Sequence, residues 1–339
     1  MTLQVPMSLG LRPLAGAAPV LGLDIGGTKL AVAVVTQDGQ THGSLVEPTI
    51  RERGPADVIR RLFEMGRRSV AAAGLGEPIQ AVGVSCGGPL DAKTGVLLRP
   101  FHLPGWIDIP ITSLAEAEFG VPAVLANDAS TAALAEFRHG AGKGLNTVMY
   151  LTISTGVGGG MVIDGQLYRG AAGNGGELGH ITVKPGGRAC SCGRRGCLEA
   201  YCSGNSIGRR GREAQAAAAA AGVETRLAGL GNVTAADVAH AAAAGDSVAQ
   251  AVWDETTDLL GQAVTDLVNV LEPDAVILGG GVTRSGAMLL DPVRRTVKHT
   301  GMGPAREAAE VMLAGLGDEV CVVGAGAIAH DLLAAAVPG

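Results

Sequence analysis

The alternation of apolar and polar positions predicts two strand–turn–strand units more than a hundred residues apart. In "VLGLDIGGTKLAVAVVTQDGQ" (20–40), an apolar strand runs into a glycine turn and a second, β-branched strand, which ends at the Asp38-Gly39 turn. The segment "VMYLTISTGVGGGMVIDGQLY" (148–168) repeats this plan and ends at Asp164-Gly165. The repetition indicates a duplicated α/β architecture.

Strands and helices alternate through the rest of the chain, as is typical of α/β proteins. The apolar spacing predicts helices over 56–74, 112–120, 236–245, 248–271 and 327–337, and a helix that begins near Ala129. Buried strands are predicted over 79–86, 121–127, 274–282 and 319–327. The Ala-rich segment 213–230 is compatible with a helix or with a loose loop.

We expect two domains that share a cleft, because no linker rich in Pro, Ser or charge divides the chain. The predicted division is a flexible arm over 1–19, a small α/β domain over 20–126 and a larger α/β domain over 127–324. The C-terminal helix, about 325–337, is expected to complete the small domain.

The composition is compatible with two domains and argues against nucleic acids and membranes as partners. The chain has 339 residues, of which 47% are hydrophobic, enough for a substantial core. A net charge of −6 and an aromatic content of 3% argue against a general nucleic-acid surface. We expect no membrane span, since no run of about 18 apolar residues stands out. The first twenty residues make a poor secretory signal, so we predict a cytoplasmic protein.

The glycine turns suggest phosphate binding. Neither turn is a Walker or Rossmann loop, because both open a strand rather than a helix. A tight glycine turn still presents backbone N–H groups to an anion, and two facing turns could hold a polyphosphate. Asp24 would supply a carboxylate for an accompanying Mg²⁺. A lone glycine hairpin would be a plain turn, but "LGGG" (278–281) after a third strand makes a shared site the better interpretation.

Six motifs resemble those of the ROK (repressor, open reading frame, kinase) family of bacterial sugar kinases and related repressors. They occur in the family's order between about residue 20 and residue 281: "DIGGTK" (24–29), "LPGW" (103–106), Asn127-Asp128, "STGVGGG" (154–160), "GELGH" (176–180) and "CSCGRRGCLEA" (190–200).

The resemblance implies the hexokinase/actin-like (ribonuclease H-like) fold, an α/β fold whose two domains close over ATP and a sugar. It also implies ATP-Mg²⁺ phosphorylation of a hexose or N-acetylhexosamine, usually at the 6-hydroxyl. The residues expected at ATP and Mg²⁺ are Asp24, Gly26, Gly27, Thr28, Lys29, Thr155, Gly156, Gly158, Gly159, Gly279, Gly280 and Gly281.

Asp128 is the predicted proton acceptor for the attacking hydroxyl. It follows a strand, where a carboxylate can project into a cleft, and it matches the family's catalytic aspartate. The alternative is that Asp128 is only the N-cap of the helix that follows. Asn127 suits a sugar hydroxyl because its amide both donates and accepts hydrogen bonds. The resemblance also assigns Glu177, His180 and Glu199 to sugar hydroxyls and Gly88 to close backbone approach.

The cysteine cluster has the ligand set of a closed zinc site. His180, Cys190, Cys192 and Cys197 offer one imidazole and three thiolates within the loop 180–197. In a reducing cytoplasm such clusters favour a metal over disulfides. A redox pair and an iron–sulfur centre are the competing interpretations, but no Cys-x-x-Cys motif is present. Because four protein ligands leave no open position, we expect the zinc to be structural.

The other three cysteines are interpreted as packed thiols. Cys202 lies just outside the family set, and Cys86 and Cys321 are expected in the apolar strands of the core.

The sequence therefore predicts an ATP-dependent hexose kinase, with glucose as the first candidate and N-acetylmannosamine or N-acetylglucosamine as alternatives. His102 stands where many members carry Asn, which leaves the sugar open; this histidine could simply pack against Trp106. A repressor would need an N-terminal winged helix, for which we see no segment, and a non-catalytic sugar sensor is the remaining rival. The family suggests a homodimer or homotetramer.

Overall fold

The computed structural model describes residues 18–336. The predicted N-terminal arm, 1–19, therefore lies almost wholly outside the described residues. Two five-stranded sheets form the frame of the chain. The first contains β1 (Val20–Ile25), β2 (Lys29–Val35), β3 (Thr41–Pro48), β4 (Val82–Cys86) and β7 (Ala123–Asn127). The second contains β8 (Val148–Ile153), β9 (Val157–Ile163), β10 (Gln166–Leu167), β11 (Ala275–Gly279) and β12 (Glu310–Leu313).

The small hairpin of β5 (Leu90–Asp91) and β6 (Val96–Leu97) lies between β4 and the second helix. The helices are α1 (Gly54–Ala73), α2 (Ile111–Phe119), α3 (Asp128–His139), α4 (Glu199–Cys202), α5 (Gly204–Ala221), α6 (Ala235–Ala243), α7 (Ser247–Leu271), α8 (Ala287–Thr300), α9 (Gly303–Ala308) and α10 (Val320–Ala336).

The two sheets have the same topology, which confirms the predicted duplication. The first has the order β3-β2-β1-β4-β7, and the second has the order β10-β9-β8-β11-β12. In each, three antiparallel strands form one side and two parallel strands are added on the other. The division into domains at residues 126 and 324 stays a prediction.

The register of the first sheet brings the predicted active residues to one edge. Asp24 pairs with Ser85, Ile25 with Cys86, and Cys86 with Asn127, so β1, β4 and β7 end side by side. Parallel strands in open α/β sheets present their carboxyl ends to ligands. Asp24, within β1, and Asp128, directly after β7, therefore lie at the same edge although they are about a hundred positions apart in the chain.

The predicted strand over 319–327 is wrong, because this segment belongs to the helix α10. Residues 322–329 are all buried, so the apolar run has no polar face from which a helix could be recognised. Glycines on both partners permit the close packing: a Cβ at Gly22 in β1 would lie 2.5 Å from Val322 O, and one at Gly326 in α10 would lie 2.5 Å from Val35 Cβ. Cys321 accordingly lies in a helix and not in a strand.

One helix in the described residues is long and apolar enough to cross a membrane, contrary to our expectation. It spans Gly317–Ala336, with a mean hydropathy of 1.5. Its central residues are buried against the first sheet and α3, which is the position of a core helix in a globular domain.

A buried acid fastens α3 to the chain that enters α10. The Glu136 carboxylate is fully buried and accepts hydrogen bonds from the backbone N–H groups of Ala141 (2.8 Å), Gly315 (2.9 Å) and Leu316 (2.9 Å). Helices α3 and α10 pack against each other between the sheets. Glu136 thus joins the two segments that connect the duplicated halves.

Some elements had no counterpart in the sequence prediction, namely β3, β5, β6, β10, β12, α4, α8 and α9. The sequence left the segment 213–230 undecided between a helix and a loop. It is helical as far as Ala221, the last residue of α5, and Gly222 caps the helix. Gly222 has a φ of 67°, a left-handed conformation that commonly ends helices.

Candidate active site

The first glycine turn, 26–28, is held by hydrogen bonds from the chain behind it. Gly26 N donates to Lys29 O at 3.0 Å and closes the turn. Thr49, which is fully buried, donates from its hydroxyl to Gly26 O at 2.6 Å and from its N–H to Thr28 O at 3.0 Å. Arg61 donates to Thr49 O at 2.9 Å. The carbonyl groups of Gly26 and Thr28 are thus occupied by Thr49. Sequence reasoning missed Thr49, which no motif marks.

The second turn lies earlier in its motif than the sequence suggested. The residues between β8 and β9 are Ser154, Thr155 and Gly156, and Ser154 N donates to Gly156 O at 2.9 Å. Gly158 and Gly159 lie within β9. A Cβ there would lie 3.1 Å from Ala129 Cβ and 2.6 Å from Leu178 Cγ, respectively. These two glycines therefore permit close packing of the strand and do not form the turn.

The third glycine motif follows β11. Gly279 ends the strand, and Gly280 has a φ of 90°, which an L side chain rarely adopts. A Cβ at Gly280 would lie 2.6 Å from Ile153 O, the end of β8. Gly281 begins a short helical turn that extends to Ser285. The second and third glycine motifs are therefore adjacent at the carboxyl edge of the second sheet.

A cavity of about 960 Å³ opens beside these two motifs. Its volume lies at the upper end of the range for small-molecule sites. It is lined by Ser154, Thr155 and Gly281 together with polar residues from α5, α6 and the segments next to them: Asn205, Arg209, Arg212, Asn232, Thr234, His240 and Arg284. Sequence reasoning missed these polar residues, because they come from separate elements and share no local motif. The cavity has the size and the polar groups that a nucleotide requires.

Asp24 is a buried carboxylate beside the first turn. Only 7% of the residue is exposed, and Oδ1 accepts a hydrogen bond from Ser85 Oγ at 2.8 Å. The pKa of Asp24 is raised to about 7, mainly by burial and also by the charge of Asp128, although the Ser85 hydrogen bond and Lys29 oppose this shift. A carboxyl group of this kind becomes fully ionised when a cation binds next to it. This donor fits Mg²⁺, a hard cation that prefers carboxylate oxygen.

Asp128 is the first residue of α3, and Asn127 is the N-cap. Asn127 Oδ1 accepts from Ala129 N (2.9 Å) and Ser130 N (3.3 Å), so the interpretation of Asp128 as the N-cap was wrong. Asp128 Oδ1 accepts from Ala129 N at 2.8 Å. Its other oxygen, Oδ2, lies 3.5 Å from the position that a Cβ on Gly87 would occupy. Oδ2 therefore faces Gly87, the residue that follows β4.

The amide of Asn127 faces the loop after β4. Its Nδ2 lies 3.7 Å from the position of a Cβ on Gly88, and Asn174 Oδ1 lies at the same distance from that point. Asn174 also donates from Nδ2 to Leu90 O at 3.0 Å, which ties a loop of the second half to the first half. Sequence reasoning missed Asn174, a polar residue within the glycine-rich segment 170–176.

Glu177 and His180 flank a single helical turn. His180 Nε2 lies 4.0 Å from Glu177 Oε2, and Glu177 is largely exposed. Partial burial raises the pKa of Glu177; His180 lowers it, and Asp128 and Glu199 raise it. These mutual effects place the predicted sugar-binding acids within electrostatic reach of one another.

The predicted metal ligands converge. The ligand atoms of His180, Cys190, Cys192 and Cys197 all lie within 4.8 Å of one another. Cys192 Sγ and Cys197 Sγ are 3.7 Å apart, and Cys190 Sγ lies 3.6 Å from His180 Nδ1. Two thiolates on a tetrahedral zinc ion with bonds of about 2.3 Å would be roughly 3.8 Å apart. The donor set and its spacing therefore fit zinc.

His180 faces both sites. Its Nδ1 points at the thiols and its Nε2 points at Glu177. Because a metal on Nδ1 fixes the ring and its tautomer, the remaining N–H would be directed away from the metal.

The sequence and the fold resemble those of known proteins. The sequence pattern of the ROK family matches residues 20–332. A glucokinase of Thermotoga maritima is 35% identical over 315 residues, which is 92% of this chain and 97% of that protein. An N-acetylmannosamine kinase of Yersinia pestis is 35% identical over 264 residues, 77% of this chain and 82% of that one.

A crystal structure of a ROK family glucokinase from Streptomyces griseus in complex with glucose and AMPPNP is 33% identical in sequence. It superposes with a TM-score of 0.76 and covers 93% of this chain and 100% of that one. This likeness confirms the predicted actin-like fold. Because the family pattern spans nearly the whole chain, and because relatives at this level of identity are matched over most of their length, the chain belongs to the ROK family.

Proposed function

We propose that this protein is an ATP-dependent hexose kinase that transfers the γ-phosphoryl group of ATP to the 6-hydroxyl of a sugar, most simply glucose. The observation that carries the proposal is the position of Asp128. Its Oδ1 is engaged by the helix, whereas Oδ2 faces the space beside the Gly87-Gly88 loop. A carboxylate oxygen so placed can accept the proton of an attacking hydroxyl.

The sugar would lie between the two halves. Asn127, at the N-terminus of α3, and Gly88 on the opposite wall border the same space as Asp128. Glu177, His180 and Glu199 would accept and donate hydrogen bonds to the other hydroxyl groups. Several polar partners of this kind discriminate strongly against analogues that lack one hydroxyl.

The nucleotide would lie in the cavity of about 960 Å³, with its phosphates at the glycine turns. The N–H groups of Gly27, Thr28, Thr155 and Gly156 would contact phosphate oxygens, since those of Gly26 and Ser154 close the two turns. Lys29 would add a positive charge. Asp24 would hold Mg²⁺, which neutralises charge on the phosphates when bound. Gly158 and Gly159 would contribute by letting β9 pack closely, not by binding phosphate directly.

The cysteine cluster would hold a structural zinc ion. His180, Cys190, Cys192 and Cys197 complete a tetrahedral ligand set, which leaves no position for a reactive water. The residues Glu177 and Glu199 flank this loop, so the zinc would fix the spacing of half of the sugar site. A cytoplasmic location and assembly as a homodimer or homotetramer remain predictions.

An N-acetylmannosamine or N-acetylglucosamine kinase is the second candidate. It is favoured by the similarity to the N-acetylmannosamine kinase of Yersinia pestis, which is 35% identical. The 2-acetamido group distinguishes these sugars from glucose, and no residue described above identifies a pocket for it. Glucose is therefore the first choice.

A panel assay tests the proposal. ADP release from Mg²⁺-ATP would be measured with glucose, mannose, fructose, N-acetylglucosamine and N-acetylmannosamine. We expect kcat/KM to be highest for glucose, and the product to carry phosphate on its 6-hydroxyl by NMR. A preference for an acetamido sugar would favour the second candidate. A protein that binds sugar yet releases no ADP with any of them would be a sensor and not a kinase.

A further inference from the structure

His102 lies at the junction of the first glycine turn and the Gly87-Gly88 loop. A Cβ at Gly27 would lie 3.1 Å from His102 Cβ and 3.3 Å from its Cδ2. A Cβ at Gly87 would lie 2.5 Å from His102 Cε1 and 3.1 Å from its Nδ1. The imidazole therefore covers both glycines, and each side chain larger than hydrogen would collide with it.

The ring shares this space with the free oxygen of Asp128. The same Cβ position on Gly87 is 3.5 Å from Asp128 Oδ2. Oδ2 is the carboxylate oxygen that the helix N-terminus leaves unoccupied, since Ala129 N donates to Oδ1. The imidazole and the proposed base thus border one small volume, on the side of Gly87 that faces the nucleotide turn.

The backbone on both sides of His102 is fixed. Phe101 N donates to Gly88 O at 3.4 Å, and Arg51 Nη1 donates to His102 O at 3.5 Å. Leu103 and Trp106 are buried in the core of the first half, with exposures of 1% and 0%. The segment is therefore anchored in the core by the residues after His102, while the ring itself extends over Gly27 and Gly87.

We propose that His102 is a further substrate-contacting residue: its imidazole binds the hydroxymethyl group of the hexose and holds the 6-hydroxyl against Asp128 Oδ2. This inference rests on the proposed kinase function. Imidazole can donate from one nitrogen and accept at the other, so it can contact a hydroxyl whichever way the proton points. Orientation of the attacking oxygen matters because a displacement of about 1 Å can cost about a hundredfold in rate.

The position also gives His102 a role in the choice of substrate. An asparagine at this position would offer the same two kinds of hydrogen bond on a shorter side chain. A sugar that lacks the 6-hydroxyl would leave the half-buried imidazole without that partner, and a polar group that binding leaves unpaired reduces affinity. His102 would therefore select for acceptors that carry the hydroxyl to be phosphorylated.

The competing explanation is that the ring is only a spacer between two glycine loops. A spacer would affect the nucleotide turn and the sugar loop alike, and it would not distinguish a sugar with a 6-hydroxyl from one without it. The test must therefore separate sugar affinity from ATP affinity, and it must vary the 6-hydroxyl itself.

The experiment uses the full chain and measures binding of glucose and 6-deoxyglucose by calorimetry, together with steady-state kinetics. For His102→Ala we expect glucose affinity to fall about tenfold, as for one lost hydrogen bond of this kind. Affinity for 6-deoxyglucose should remain within about twofold, kcat should fall at least tenfold, and KM for ATP should stay near wild type. His102→Asn should recover most of the loss, because the amide restores a donor and an acceptor.

His299→Ala, which changes an exposed histidine in α8, is the matched control. An equal loss for glucose and 6-deoxyglucose in His102→Ala, or a rise in KM for ATP that matches the loss of glucose affinity, would overturn the proposal in favour of the spacer. If His102→Ala does not fold, the ratio of the two sugar affinities in His102→Leu decides, because leucine fills the space but offers no hydrogen bond; an unchanged ratio in that variant contradicts the contact. A wild-type protein that binds glucose without releasing ADP would instead refute the kinase function.

Discussion

Glu199 Oε2 accepts a hydrogen bond from the backbone N–H of Val157 at 3.1 Å. Its other oxygen, Oε1, accepts from Ser191 Oγ at 3.1 Å. Val157 begins β9 directly after the second glycine turn, and Ser191 lies between Cys190 and Cys192, two of the proposed metal ligands. The Glu199 carboxylate therefore links the turn that is proposed to bind phosphate to the loop that is proposed to bind zinc. Its remaining lone pairs are available to a sugar hydroxyl.

Substitutions of Glu199 should separate its proposed contact with the sugar from its support of the second glycine turn. Glu199→Gln keeps an acceptor for Val157 N but loses the negative charge, so sugar affinity should fall about tenfold while KM for ATP changes little. Glu199→Ala leaves the Val157 N–H without its partner and should raise KM for both substrates. Steady-state kinetics with each substrate varied in turn measures the difference. Identical behaviour of the two variants would mean that the bond to Val157 does not support the turn.

Asp128→Asn should remove the proton acceptor and preserve the helix start. The Asn side-chain oxygen can still accept from Ala129 N, whereas an amide nitrogen would replace the free oxygen. We expect kcat to fall by about 10² to 10⁴, the usual range for general acid–base catalysis. Sugar affinity, measured by calorimetry, should change only a few fold. Retention of more than a tenth of the wild-type kcat would refute the assignment of the base.

Asp24 should make the stability of the nucleotide-free protein depend on pH. The unfolded carboxyl ionises near its ordinary pKa of 3.8, whereas the folded one has a pKa of about 7. Between these values the folded state binds more protons, so the free energy of unfolding should fall as pH rises from about 4 to about 7 and then level off. Ionised Asp24 therefore lowers the free energy of unfolding of the nucleotide-free protein, and a bound cation would offset this loss.

Asp24→Asn tests this linkage. Above pH 7 the variant should be more stable than wild type by at most about 4 kcal/mol, since each pKa unit corresponds to about 1.4 kcal/mol. The difference should vanish toward pH 4, and Mg²⁺-ATP should no longer stabilise the variant. Urea unfolding at several pH values provides the measurement, with Asp266→Asn in α7 as an exposed control. A constant difference between variant and wild type across this range would contradict the raised pKa.

Cys192→Ser should release the metal and weaken sugar binding without changing the nucleotide site. We expect about one zinc ion per wild-type chain by mass spectrometry and almost none in the variant. Loss of the metal frees His180 and the segment between Glu177 and Glu199, so glucose affinity should fall about tenfold. ATP affinity should be nearly unchanged, because no ligand of the metal lines the nucleotide cavity.

Cys202→Ser is the matched control for the metal prediction. Cys202 is fully buried and its thiol donates to Thr256 O at 3.4 Å, a contact that a serine hydroxyl can retain. This variant should keep both zinc and sugar affinity. If Cys192→Ser kept its zinc and bound glucose normally, the cluster would not be the metal site.

Local chemistry sufficed for most of the fold and for the chemical groups of the site. The glycine turns, the strand before Asn127 and the helix after it follow from apolar spacing and turn residues within about twenty positions. The repeated strand–turn–strand pattern predicted the duplicated sheets, and the spacing of His180, Cys190, Cys192 and Cys197 predicted that these four side chains converge. These features depend on neighbours in the chain, which is why a single sequence can reveal them.

Only the tertiary structure decided features that depend on distant partners. The segment 319–327 is helical because it fills the space between β1, β4 and α3, and its uniformly apolar composition could not distinguish a helix from a strand. The wall of the nucleotide cavity brings together α5, α6 and the turn after β11, which have no motif in common.

The position of His102 over Gly27 and Gly87, and that of Glu199 between the second turn and the metal loop, likewise arise from packing between segments far apart in sequence. The amino-acid sequence determined which chemical groups are present. The packing of the two halves determined which of these groups face one another, because those contacts form only when the sheets and the helices between them are in place.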